Sequence, residues 1–238
     1  SLFTTELKNL YEIRNKKLLE NFKKNINGLK LVNRRSILLD EIIYKCYKQN
    51  VKHFKKNIKN FKFSIIATGG FGRKELAPYS DVDILFLHSL KNKKNLKNFV
   101  KPILHTLWNL GLRVGYATRT PHECILYSKK EIDVCTSILE SRFIVGNKNI
   151  YKSLMKQYKN KIIERYGKKF IKEIFLEREK RLNETGDTMY LLEPNVKNGK
   201  GGIRDLQTLD WIGKFFYKIK NLNNLINYKI LDKNSVES

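Results

Sequence analysis

The chain has 238 residues, 41% of them apolar and 11% aromatic, with 48 Lys and Arg against 23 Asp and Glu for a formal charge of +25. Enough apolar content for a real core excludes wholesale disorder, and 13 glycines with 4 prolines exclude collagen-like and low-complexity classes. No apolar run approaches the ~18 residues of a membrane span, and the opening SLFTTELKNLYEIRNKK lacks the basic-then-apolar order of a secretory signal.

Most of the positive charge is Lys, interleaved with Asn and Ile as in NFKKNINGLK and KNKKNLKN. These residue types share A/T-rich codons, so the charge reads as compositional drift on a solvated surface. A dedicated polyanion site is the competing reading, and nucleic acid is not an expected partner. A triphosphate or an acidic protein would still be attracted. Cys46, Cys124 and Cys135 are odd in number and lack CxxC spacing. They are expected as buried thiols of a reducing cytoplasm rather than as a disulfide frame or zinc site.

In chain order, Leu7, Leu10, Tyr11, Leu18 and Phe22 recur at helical spacing, and Ile37, Leu38, Ile42 and Cys46 do so again. Two leading helices are predicted. Phe61 to Ala67 and Val82 to Leu87 read as buried strands. A helix is predicted from about Lys93 to Leu110, with Pro102 as a start or kink and Gly111 as its stop. Leu112 to Thr118 is a third strand. Pro121 to Tyr127 and Val134 to Val145 read as helices, the second stopped by Gly146. The pattern is then helical to about Glu184, followed by a glycine-bearing loop over 186–204 and a last helix from about Asp205. The expected architecture is α+β, a small mixed sheet flanked by helices, with N-terminal helices and a C-terminal helical segment. Domain boundaries are expected at 1–58, 59–146 and 147–238.

The stretch that carries chemistry is IIATGGFGRKELAPYSDVDILFL, Ile65 to Leu87. A strand ends in Gly69-Gly70, ten residues intervene, and Asp81 and Asp83 then bracket one apolar residue at the start of the next strand. Side chains at i and i+2 of a strand share a face. Two carboxylates held that close repel unless a cation lies between them. Mg²⁺ suits such a pair, because it takes hard oxygen ligands and completes its shell with water and substrate phosphates. Consecutive glycines after a strand permit positive φ and close backbone approach, so they can cradle phosphate. Each part has a bland alternative: exposed aspartates at a strand entrance, and a tight turn. Gly72 and Arg73 extend the turn, Arg73 as a phosphate contact or as surface.

Together the parts resemble the nucleotidyltransferase superfamily with the polymerase-β-like fold, whose signature is hG[G/S] followed after a spacer by Dh[D/E]h. GGFGRKELAPYSDVDILFL is also similar to the GGYGRGELAPYSDIDLLFL block of bacterial [protein-PII] uridylyltransferases of the GlnD type. LWNLGLRVGYATRT, EIDVCTSILESRFIVGN and YLLEPNVKNGKGGIRDLQTLDWIGKF resemble that family's later blocks, in order, so the likeness spans roughly Ser64 to Phe215.

The resemblance implies a cytoplasmic, metal-dependent enzyme of nitrogen regulation. It would transfer UMP from UTP to a tyrosine of the PII signal protein, releasing pyrophosphate, with Mg²⁺ or Mn²⁺. Asp81 and Asp83 become the metal ligands and catalytic carboxylates. Gly69, Gly70, Gly72, Arg73, Ser80 and Arg119 become the nucleotide-binding set. Asp133 is the candidate for a third carboxylate, with Glu140 behind it; a helix N-cap is the competing role for Asp133. The loop 186–204 either closes over the nucleotide or docks the helical segment, and Trp211 reads as core rather than base platform. Two departures stand out: Lys74 where the family has Gly, and Tyr116 where His is common. The histidines His53, His88, His105 and His122 are scattered. With no HD pair, the chain is expected to stop before any uridylyl-removing HD domain or ligand-sensing ACT domain, as a truncated or processed piece, an incomplete gene product or a reduced enzyme. The alternatives are a different acceptor on the same fold, RNA or a small molecule, and a non-catalytic fragment.

Overall fold

Two long helices, α1 (Leu2–Lys24) and α2 (Gly28–Phe54), lead the chain in a computed structural model that describes residues 2–24, 26–54, 62–89, 93–185, 195–219 and 222–232. The Asn27 side chain accepts the Lys30 amide at the entrance to α2. The buried stripe of α2 is Leu38, Leu39, Ile42, Ile43 and Cys46, while Ile37 faces solvent. The helical period was legible, but its phase lies one residue from the expected Ile37–Leu38 seam.

The strands are β1 (Phe63–Ala67), β2 (Val82–His88), β3 (Val114–Arg119) and β4 (Arg142–Gly146). They form a mixed sheet ordered β3-β2-β1-β4. Only the β2–β3 pair is parallel. β1 is central and every residue in it is buried, as its run of apolar and β-branched residues requires. Phe61, the expected strand start, lies outside the described residues.

Between the strands lie α3 (Gly69–Gly72), α4 (Lys93–Asn109), α5 (Pro121–Ser128) and α6 (Ile132–Leu139). Pro102 sits inside α4 rather than at its start. Proline cannot donate to the helix ladder, and near this break the buried Asn50 side chain of α2 donates to the Phe99 carbonyl. Gly111 follows α4 at φ +74°, the expected stop. α5 opens on a capping box: Glu123 donates its amide to Thr120 Oγ1, and Thr120 donates its own to Glu123 Oε2.

One expectation is overturned. Val134 to Val145 is not one helix: α6 ends at Leu139, and Arg142–Gly146 is β4, paired antiparallel to β1. An apolar run of this length has no period that separates strand from helix. The outer edge of β1 needs hydrogen-bond partners, and β4 supplies them. Gly146 is then no helix stop. At φ +112°, a Cβ there would stand 2.3 Å from the Phe63 carbonyl oxygen, so only glycine passes this close to β1.

The chain forms two compact units, residues 1–127 with 137–156, and residues 128–136 with 157–238. In the first, α1, α2 and α4 share one apolar core with the sheet, from Leu7 and Tyr11 through Ile42 and Phe63 to Val145. The N-terminal helices are therefore part of the sheet's unit. α7 (Lys148–Tyr158) begins here, its first turn capped by the Asn147 side chain.

The second unit holds α8 (Gly167–Thr185) and α9 (Ile203–Ile212), the latter running on as a π turn. Phe170 stacks on Phe215 at 3.8 Å between ring centroids. Trp211 is buried, with Arg204 over its ring, which gives the core role rather than an open platform. The described part of the glycine loop folds on itself. Asn195 caps the Lys197 and Asn198 amides, and Cβ atoms on Gly199 and Gly202 would strike the carbonyls of Asn195 and Val196. Arg178 and Arg181 then tie the loop's end to α8 through Asp205, which also accepts the Gly201 amide. Residues 186–194 lie outside the described residues.

All three cysteines are free and buried. Burial pushes the Cys46 and Cys124 thiols up to about 12 and Cys135 to about 11, so none is reactive near neutrality. Among the described residues no helix is long and apolar enough to cross a membrane.

Candidate active site

Antiparallel pairing fixes the site. Ala67, the last residue of β1, pairs with Ile84 near the start of β2, and the Thr68 amide donates to the Asp83 carbonyl at 3.1 Å. The chain leaving β1 therefore turns through Gly69-Gly70 directly beside Asp83. Gly69 adopts φ +55°, a left-handed conformation that other residues resist. A Cβ on it would lie 3.1 Å from Asp83 Oδ2.

Val82 and Ile84 are buried while Asp83 is part-exposed and Asp81 exposed, the alternation expected of a strand entrance. Asp81 Oδ1 lies 3.1 Å from Arg113 Nε, and the Arg113 guanidinium also donates to the Tyr79 carbonyl. Ser80 is exposed beside Asp81, its amide closing a turn on Ala77. The connection between cradle and aspartates is held from below by α2. Arg35, itself buried, donates to the Pro78 carbonyl and to Tyr11 Oη, and Ser36 Oγ accepts the Leu76 amide.

Gly72 and Arg73 do something more specific than extend a turn. A Cβ on Gly72 would stand 2.3 Å from the Glu140 carbonyl oxygen, so the turn passes hard against the α6–β4 junction. Arg73 ion-pairs with the buried Glu140 carboxylate at 2.6 Å and with Glu75 at 2.6 Å. Glu140 is thereby engaged in the turn's support. From β4, Arg142 makes a bidentate pair with Asp40 of α2 and donates to the carbonyls of Phe71 and Gly72. Burial lifts Asp40 above its usual carboxylate value, against the pull of Arg142. Arg142 escaped the sequence reading because its partners are 70 and 102 positions away.

Other candidates lie elsewhere. In the parallel register Asp83 is level with Gly115 and Leu87 with Arg119. Arg119 is thus about 13 Å along the strand from the carboxylates, at ~3.3 Å per residue, and its guanidinium covers the Tyr127 ring. The structure does not bring Arg119 to the cradle. Asp133 belongs to the second unit. It lies one residue inside the first turn of α6 and is exposed, where a carboxylate complements the helix dipole; the preceding Glu131 carbonyl accepts the Cys135 amide. Tyr116 stands at the register of Ile84, edge-on to Phe86 and to Trp108 of α4. It alternates with Gly115 and so takes the other face of the sheet from Asp83.

The donor set fits a hard divalent cation in type, being carboxylate oxygens beside a polar turn. Among the described residues no three His, Cys, Asp or Glu converge as a metal-holding group.

Residues 48–145, which include the cradle, both aspartates and Gly115, match the nucleotidyltransferase domain family. Residues 169–238 match the GlnD PII-uridylyltransferase family. The chain thus carries a nucleotidyltransferase domain and a segment similar to the GlnD PII-uridylyltransferases. It is 43% identical over 169 residues to the bifunctional uridylyltransferase/uridylyl-removing enzyme of Azospirillum brasilense, an alignment covering 71% of this chain and 18% of that protein. Enzymes of the same name from Novosphingobium aromaticivorans and Rhodopseudomonas palustris are 35% and 39% identical, over 82% and 72% of this chain and 21% and 18% of theirs. The chain spans about a fifth of the length of these GlnD-type relatives. The match over 48–145 covers the sheet and the α+β fold expected of a nucleotidyltransferase.

Proposed function

We propose that the chain transfers UMP from UTP to a tyrosine hydroxyl of a PII signal protein in the cytoplasm. The carrying observation is the placement of Asp83 against Gly69 at one end of the sheet, inside a matched nucleotidyltransferase domain. The family match and the names of the relatives support the acceptor and the nucleotide.

On this reading Asp81 and Asp83 hold Mg²⁺ or Mn²⁺. The cation would supply charge neutralisation at the triphosphate and a lowered pKa for the attacking oxygen. The backbone of Gly69 and Gly70 lies against the triphosphate, which the absence of side chains permits. Arg142 and Arg73 brace the turn that follows this backbone, and Ser80 is exposed beside Asp81. The tyrosine hydroxyl gives its proton to solvent as its oxygen forms a bond to the α-phosphorus, the bond to the bridging oxygen breaks, and pyrophosphate leaves with the electron pair. Catalysis is then mainly positioning and electrostatics. Arg113 would exchange its contact with Asp81 for the phosphates, because an exposed ion pair is worth little.

The test is incubation of the chain with α-labelled UTP, Mg²⁺ and either PII or RNA. Label on PII, removed by chelation and absent from a PII tyrosine-to-phenylalanine variant, supports the reading. Label on RNA alone would replace the acceptor and keep the chemistry. No label on either would overturn it.

A further inference from the structure

A glycine inside a strand often marks a bulge, a bend or a place where something approaches the backbone closely. Gly115 is such a residue in β3, and what approaches is the carboxylate of Asp83. The two residues are register partners in the parallel β2–β3 pair. A Cβ on Gly115 would lie 2.5 Å from Asp83 Oδ1 and 3.7 Å from its carboxyl carbon. On the other side, a Cβ on Gly69 would lie 3.1 Å from Oδ2. The carboxylate therefore occupies a slot with one glycine at each oxygen, one in the turn after β1 and one in the neighbouring strand.

We infer that Gly115 is a positioning residue for Asp83: its missing side chain leaves room for the carboxylate to lie across β3 in the orientation that serves the divalent cation. This rests on the metal-binding reading of Asp83 given above. The crowding falls on the far end of the Asp83 side chain, which can turn to relieve it. Oδ1 is attached to a short side chain on a strand whose neighbours Val82 and Ile84 are buried, so a methyl group at position 115 can be accommodated only by turning the Asp83 carboxylate out of its place. Strand preference predicts the opposite of harm, since alanine is normally better than glycine in a strand interior. A defect in Gly115→Ala is thus a signature of the slot and not of the strand. Loss of correct support around a metal ligand typically costs about 10–100-fold in metal affinity.

The experiment uses the 238-residue chain and Mn²⁺ alone, with binding followed by electron paramagnetic resonance and folding by thermal melting. Wild type, Gly115→Ala, Asp83→Asn and Asp83→Ala are compared with the double variant Gly115→Ala/Asp83→Ala. The inference expects Asp83→Asn to abolish the site and Gly115→Ala to weaken Mn²⁺ binding by about tenfold or more. If Gly115→Ala melts lower than wild type, the deficit should vanish in the Asp83→Ala background, because the colliding carboxylate is gone. Equal Mn²⁺ affinity in wild type and Gly115→Ala, with Asp83→Asn inactive in binding, overturns this inference alone. A melting deficit that persists in the Asp83→Ala background also overturns it. Mn²⁺ binding that survives Asp83→Asn removes the metal reading of Asp83 and this inference with it.

Discussion

Asp83 lies against Gly69 and Gly115 while Asp81 is open to solvent, so on the proposed reading the two carboxylates would have unequal tasks in holding one cation. Asp83 has its place set by the fold, whereas in the proposed mechanism Asp81 would leave Arg113 to reach the cation. Asp81→Asn and Asp83→Asn should each lower UMP transfer to PII at least about a thousandfold, which corresponds to several kcal/mol of lost transition-state stabilisation. Melting temperatures should stay close to wild type; transfer retained in both variants would remove the assignment. Lys74 gives a second prediction at this scale. It holds φ +63°, where a side chain costs about 1–2 kcal/mol, and it stands where the related block has glycine. Lys74→Gly should stabilise the chain by about 0.5–1 kcal/mol after the greater unfolded-state freedom of glycine is deducted, measured by urea denaturation. Asp81, Asp83 and the glycine pair were legible in the sequence because they are close together in it. Gly115, Arg113 and Arg142 were not, since their partners come from other elements.

At the scale of elements, α9 is anchored by charge. Burial opposes ionisation of Asp205, but hydrogen bonds from Arg178, the Gly201 amide and Arg181 hold its carboxyl down from the usual 3.8 to about 2. A depressed carboxylate contributes stability that is present above its unfolded pKa and lost as pH falls through the folded value. The second unit should therefore lose stability as pH falls from about 4 towards about 2, less than the bare gap implies because solvent screens the partly exposed group. Asp205→Asn should flatten that part of the pH–stability curve, as followed by Trp211 fluorescence. The glycine loop before α9 is accordingly a built connector over its described residues. α6 and β4 teach a related lesson. Their shared apolar run satisfied the helix template, and only the unpaired edge of β1 decided that its second half is a strand.

For the whole molecule, the first unit depends on helices that contribute no candidate catalytic side chain. α2 lends Leu39, Ile42 and Ile43 to the sheet's core, and Arg35, Ser36 and Asp40 to the loop and turn that carry the site. Deletion of residues 1–54 should therefore leave the sheet unable to fold as a monomer, seen as loss of cooperative melting. A deletion variant that melts cooperatively and labels PII would show that the helices are dispensable. Local chemistry written in neighbouring residues was determined by the sequence alone: the first three strands, the leading helices, the glycine turn and the spaced aspartates, because period and spacing are short-range properties. The tertiary structure alone decided what sits against that turn. A carboxylate slot between two strands, and an arginine clamp drawn from β4 to α2, exist only once pairing register brings distant backbones within contact.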